Sequence, residues 1–133
     1  MPIEKDLSLP NSPQAFASST NISASPYFIA FIASKDPTTL QPWCPDVRKA
    51  LPILESTFAP GDAPTMAVIE VGEKLAYKSP DNHYRAIWKV TAVPTLARYE
   101  RRGDGLVEVG RLVEEEIFDV ENVQKFVNDP SHQ

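Results

Sequence analysis

Residues Pro42 to Arg48 read PWCPDVR. Cys44 precedes Pro45, and proline suits the first helical position because the N–H it lacks would be unbonded there anyway. The chain continues as VRKALPILESTF, with Val47, Leu51, Leu54 and Phe58 at helical spacing. A helix starting at Cys44 or Pro45 is therefore expected. Pro52 falls inside it and removes a backbone hydrogen bond, which predicts either one kinked helix or two short ones. At a helix start, free backbone N–H groups and the positive end of the dipole favour a thiolate, the nucleophile of disulfide exchange. The plainer alternative is that Cys44 is a small buried hydrophobe.

Upstream, YFIAFIA from Tyr27 to Ala33 is apolar on both faces, as a central strand covered by helices would be. Ile3 to Leu9 fits an edge strand, and Ser12 with Pro13 fits a helix start. KDPTTLQPW reads as a loop, in which Lys35 and Asp36 either line the neighbourhood of Cys44 or are simply solvated. Downstream, Pro64 to Val71 reads as a second buried strand. Ser79 as N-cap and Pro80 open an expected helix with Tyr84, Ile87 and Trp88 on one face. The break RRGDG between TLARYE and GLVEVGRLVE predicts a hairpin. Val113 to Glu116 reads as a solvated acidic edge. Asp119 then caps a last helix carrying Val120, Val123, Phe126 and Val127, and the tail DPSHQ is expected to fray. Strands alternating with helices and closed by a hairpin mean an α/β fold with a mixed sheet and helices on both faces.

At 133 residues, the chain suits one domain spanning residues 1–133. It has no apolar run near the roughly 20 residues of a membrane span and no visible secretory signal, so a cytoplasmic protein is expected. A net charge of −5 disfavours nucleic acid and anionic membranes as partners. One cysteine in the whole chain allows no internal disulfide and no multi-cysteine zinc site. His83 and His132 lie far apart without metal-ligand spacing and are expected at the surface. Neither a metal nor a cofactor is anticipated, and a monomer is expected.

Several motifs together resemble a known family. WCPD at 43–46, the kinking Pro52, FIASKD from Phe31, VGEK from Val71, SPDNHYR from Ser79 and KVTAVPTL from Lys89 occur in order along nearly the whole chain. They are similar to the thioredoxin domain-containing protein 17 family of small thioredoxin-related proteins. The resemblance implies a thioredoxin-like fold, with a central mixed β-sheet flanked by helices and an extended loop before the active-site helix. It also implies that Cys44 is the catalytic nucleophile, with Trp43, Pro45 and Asp46 as the rest of the motif. Pro94 would be a cis-proline beside the cysteine, and the Val93 backbone would pair with the substrate chain. The departure is Val47, because the family pattern WCPDC places the second, resolving cysteine there.

With no second thiol, a mixed disulfide formed by Cys44 has no internal nucleophile to release it. The expected activity is therefore that of a monothiol disulfide oxidoreductase acting on disulfide, glutathionylated or cystine-like substrates, with an external thiol such as glutathione completing the exchange. The alternatives are a non-catalytic binding module built around Val93, Pro94 and Trp43, or a redox sensor capped reversibly at Cys44. Retention of Trp43, Cys44, Pro45 and Asp46 favours a working thiol.

Overall fold

A computed structural model describes residues 3–5, 9, 26–103 and 105–128. The expected helix start at Ser12 and Pro13, the DPSHQ tail and His132 lie outside the described residues. The strands are β1 (Ile3–Glu4), β2 (Tyr27–Ile32), β3 (Thr65–Glu70), β4 (Thr95–Arg102) and β5 (Gly105–Val113). They form one mixed sheet in the order β1-β3-β2-β4-β5. The two pairings among the first three strands are parallel, whereas β2–β4 and β4–β5 are antiparallel. Among the described residues of the expected edge strand, Ile3–Glu4 is paired, and the Tyr27 hydroxyl donates to Glu4 Oε1 at 3.0 Å to fasten it.

All six residues of β2 are buried, so the strand lies mid-sheet with both faces covered. On one face Phe28 meets Phe58 and Phe126 with ring centroids 5.2 and 5.9 Å apart. On the other, Phe31 meets Tyr84 and Trp88 at 6.2 and 6.3 Å. Successive strand side chains alternate between faces, which is how one strand supplies both cores.

Helix α1 (Pro45–Phe58) is one uninterrupted helix that carries Pro52 on its exposed side. Its buried seam is Val47, Ala50, Leu54 and Phe58, continuous above and below the proline. That seam holds the two halves in one element despite the missing N–H. Leu51, expected in the seam, is only partly buried, because Ala50 takes the inner position.

The expected helix opened by Ser79 is replaced by two short ones, α2 (Lys74–Lys78) and α3 (His83–Ala86). Ser79 caps the C-terminus of α2, and the N-cap of α3 is Asn82. The Asn82 side chain accepts from the N–H groups of Tyr84 and Arg85 at 3.0 and 3.3 Å. It also donates to the carbonyls of Val71 and Ala76 at 3.0 and 3.2 Å. Ser79 and Asn82 are both good caps, and the four bonds that only Asn82 can make decide between them. Because α3 is so short, Trp88 turns inward while Ile87 stays 39% exposed, so Tyr84, Ile87 and Trp88 do not share one buried face.

The β4–β5 hairpin pairs Arg102 with Gly105, and Gly103 takes the positive φ of +63° that the tight turn needs. The acidic stretch after β5 is structured rather than simply solvated. Glu114–Ile117 form a 3-10 turn in which Glu116 Oε1 accepts from the Val113 N–H at 2.8 Å. Helix α4 (Val120–Asn128) follows, with Asp119 accepting from the N–H groups of Glu121 and Asn122. Val123, Phe126 and Val127 are buried, whereas Val120 is exposed.

Arg98 of β4 is 3% exposed and crosses to α4, where Nη1 donates to the carbonyls of Phe126 and Val127, each at 2.8 Å. Its Nε donates to Glu100 Oε2 at 2.9 Å, and its guanidinium carbon lies 5.5 Å from the Phe28 ring centroid. Arg98→Met is expected to lower stability by about 2–4 kcal/mol, since it leaves two helix-end carbonyls and a carboxylate short of a donor. Asn82→Ala is expected to cost about 2 kcal/mol through the lost cap and two unbonded carbonyls. Urea denaturation followed by circular dichroism measures both.

Candidate functional site

The end of β2 and the segment after β3 are stitched together by Ser34 and Gly72. Ser34 N–H donates to the Gly72 carbonyl at 3.2 Å, and Gly72 N–H donates back to Ser34 Oγ at 2.9 Å. Gly72 has φ of +115°, a conformation that L side chains rarely adopt. Trp43 docks on this junction. Its backbone N–H donates to the Ser34 carbonyl at 3.3 Å and its indole Nε1 to the Gly72 carbonyl at 2.8 Å.

The intervening loop is folded on itself. Asp36 Oδ1 accepts from the N–H groups of Thr38 and Thr39 at 2.7 and 3.3 Å, and Lys35 bridges to Pro42. Asp36 therefore shapes the loop. Lys35 lines a cleft of about 310 Å³ between α1 and the sheet, together with Lys5, Leu51 and Glu55. Arg48 Nη1 donates to the Pro42 carbonyl at 2.6 Å and ties the loop's end to α1.

Cys44 is the N-cap of α1, in extended conformation at φ −95° and ψ 121°, with Pro45 following in the first turn. Its carbonyl accepts from the N–H groups of Val47 and Arg48 at 3.1 and 3.3 Å. The side chain makes no capping bond to the helix. Instead the half-buried thiol donates to the Val93 carbonyl across 3.7 Å. A thiol can donate there, whereas a thiolate cannot and is left facing a carbonyl oxygen. Ionisation therefore frees the sulfur to seek a donor.

Val93 and Pro94 are buried, and the peptide bond between them is cis. Thr95 Oγ1 donates to the Ala92 carbonyl at 2.7 Å, and Glu114 N–H donates to the Pro94 carbonyl at 2.8 Å. Glu114 makes that contact with φ of +53°, a strained left-handed conformation for a non-glycine residue. Pro45 is exposed, Asp46 is half-buried in the first turn of α1, and Val47 is 0% exposed. The position where a resolving thiol would stand is thus filled by packed hydrocarbon. Trp43, Cys44, Val93 and Pro94, far apart in sequence, meet at one end of the sheet.

Sequence reasoning missed Tyr77. Its ring packs on Trp43 with centroids 5.8 Å apart, and the Arg85 guanidinium carbon lies 5.5 Å from the ring centroid on the same residue. Burial raises the Tyr77 pKa above that of a free phenol; Arg85 opposes the rise, while the charges of Cys44 and Glu114 add to it. The only sequence signal was an aromatic next to the family-like VGEK. His83 is not a plain surface group, because it accepts from Trp88 Nε1 at 3.2 Å and packs edge-on against Tyr84. Among the described residues, no group of three His, Cys, Asp or Glu side chains is placed to hold a metal ion.

The fold agrees with comparisons to known proteins. Residues 12–129 match the model of the thioredoxin domain of thioredoxin domain-containing protein 17-like proteins. A thioredoxin domain-containing protein of Schizosaccharomyces pombe is 37% identical over 101 residues, covering 76% of this chain and 82% of the relative. Human thioredoxin domain-containing protein 17 is 40% identical over 73 residues, covering 54% of this chain and 58% of the relative. The fold also superposes on Trichomonas vaginalis thioredoxin with a TM-score of 0.63 at 17% identity, covering 95% of each chain. Trxlp of Edwardsiella tarda gives a TM-score of 0.58 at 19% identity, covering 94% of this chain and 97% of that one. The chain has a thioredoxin-like fold and belongs to the thioredoxin domain-containing protein 17-like family.

Proposed function

We propose that the protein is a cytoplasmic monothiol disulfide oxidoreductase in which Cys44 attacks a disulfide and an external thiol releases the product. The observation that carries this reading is the half-buried Cys44 sulfur at the start of α1, beside the Val93 carbonyl, with Val47 sealing the second position. One cysteine in the chain leaves the outer sulfur of a mixed disulfide to a thiol such as glutathione. Trp43 and the Val93 backbone form the edge on which a disulfide-bearing peptide, a glutathionylated protein or a cystine-like molecule is held. With a net charge of −5, the protein is not suited to nucleic acid or an anionic membrane surface.

The binding-module alternative has no physical need of a cysteine at this helix start. A redox sensor does need one, and differs from the monothiol enzyme in having no substrate disulfide that it turns over.

Exposure to oxidised glutathione is expected to add one glutathione per chain by intact mass, and reduced glutathione is expected to remove it. An adduct that forms and is removed without turnover of any added disulfide substrate would identify a sensor, and no adduct at all would overturn both readings. Cys44→Ser is expected to abolish the adduct. Val47→Cys restores the spacing of a dithiol motif and is expected to support catalytic reduction of insulin disulfides with a thioredoxin reductase. A folded Val47→Cys protein that forms its internal disulfide but fails to turn over would show that Val47 is not what separates this chain from a dithiol reductase.

A further inference from the structure

We propose that the cleft walled by Arg85, Lys89 and Thr91 is an anion-binding subsite that takes the carboxylate of a small peptidyl disulfide while Cys44 attacks its sulfur. This rests on the monothiol reading above and names its substrate class: disulfides carrying a carboxylate one residue beyond the reacting cysteine, as glutathione does.

The cleft has a volume of about 350 Å³ and is lined, among the described residues, by Pro80, Arg85, Lys89, Val90 and Thr91. Two routes tie it to the thiol. Along the backbone, Thr91 stands two residues before Val93, whose carbonyl faces the Cys44 sulfur, and two extended residues span about 7 Å. A carboxylate one residue beyond a cysteine covers a similar distance from that cysteine's sulfur. Across the side chains, the Arg85 guanidinium carbon lies 5.5 Å from the Tyr77 ring centroid, and the same ring packs on Trp43 with centroids 5.8 Å apart. Tyr77 therefore joins Arg85 of the cleft to the residue that precedes Cys44.

Both cations are held in place without being neutralised. Arg85 Nη1 donates to the Tyr77 and Lys78 carbonyls at 3.4 and 2.9 Å, and Lys89 Nζ donates to the Ala86 carbonyl at 3.1 Å. Arg111 Nη1 donates to the Lys89 carbonyl at 3.1 Å and the Val90 N–H to the Tyr84 carbonyl at 3.0 Å, so the backbone wall is fixed too. Lys5, Arg98, Arg102 and Arg111 each pair with a carboxylate. Among the described residues no carboxylate lines this cleft, and Asp81, beside Pro80, lies outside the lining. Arg85 Nε and Nη2 and the rest of the Lys89 ammonium keep donors for a carboxylate, the first as a planar fork and the second as a point charge. When the Cys44 thiolate attacks R–S–S–R, it forms Cys44–S–S–R and releases R–S⁻. The retained half keeps its carboxylate in the cleft until an external thiolate R′–S⁻ attacks the sulfur of R, giving R–S–S–R′ and returning the electron pair to Cys44.

Rates of Cys44 adduct formation, followed by intact mass at neutral pH and low salt, read the subsite. Lys89→Gln is expected to slow reaction with oxidised glutathione about threefold, and Arg85→Gln combined with Lys89→Gln about tenfold, the scale of one and two exposed ion pairs. Reaction with the uncharged 2-hydroxyethyl disulfide is expected to keep its rate in both variants, and salt near about 1 M is expected to erase the effect on oxidised glutathione by screening. Equal slowing of both disulfides, or no slowing of oxidised glutathione, would overturn the proposal. So would a Lys89→Glu protein whose preference between oxidised glutathione and the cationic disulfide cystamine is unchanged, since reversing the charge is expected to move it toward cystamine. If the Arg85 variant fails to fold, S-methylglutathione, which cannot exchange, decides in the unchanged protein. It is expected to shift the amide resonances of Arg85, Val90 and Thr91, less so in Lys89→Gln, and absence of those shifts would overturn the subsite. The same shifts without a Cys44 adduct from any disulfide would strike the monothiol reading and leave the subsite standing.

Discussion

A strand with no polar face constrains everything around it. All six residues of β2 are buried, so β2 must lie between β3 and β4 with α1 and α4 on one face and the α3 segment on the other. Nothing chemical can happen along such a strand. The candidate site lies at its C-terminal end, where the parallel half of the sheet meets the antiparallel half and the chain must turn into α1. Crevices at such switch points, beyond the carboxyl ends of strands, are where open α/β sheets bind ligands.

At that end the backbone does most of the positioning. Ser34 and Gly72 exchange hydrogen bonds, Trp43 docks on both, and Cys44 follows as the first residue that can cap α1. From the other side, Glu114 grips the Pro94 carbonyl and so fixes the Val93 carbonyl opposite the sulfur. Val47 belongs to a different economy. Fully buried with Ala50, Leu54 and Phe58, it contributes to the seam that keeps α1 whole across Pro52, worth roughly 1.5–3 kcal/mol for a side chain of this kind. Val47 thus serves the core of α1, and the N-cap placement of Cys44 beside the Val93 carbonyl stands independently of it.

Much of this was legible in the sequence because the signals were local. The apolar run Tyr27–Ala33, Pro45 in a first helical turn and RRGDG between two β-patterned runs each name their element without reference to the rest of the chain. Cys44, Trp43, Val93 and Pro94 were legible as a group only through family-like motifs, since no spacing rule links them. What could not be read depends on contacts across the fold. Ser79 and Asn82 are equivalent caps until the carbonyls of Val71 and Ala76 choose Asn82. Arg98 sits in a strand pattern with no sign that it clamps the end of α4. Tyr77 and Glu114 are an aromatic and an acid in polar stretches, and only the folded chain sets Tyr77 against Trp43 and Glu114 against the Pro94 carbonyl.

The most direct measurement is a crystal structure of the Cys44 mixed disulfide with a short cysteine-containing peptide. The sulfur is expected to have left the Val93 carbonyl, with the peptide running along Val93 and pairing with its backbone beside Trp43. A peptide bound through Cys44 but lying away from Val93 and Trp43, or crystals in which Cys44 stays unmodified under excess peptide disulfide, would contradict a site built to exchange disulfides through one sulfur.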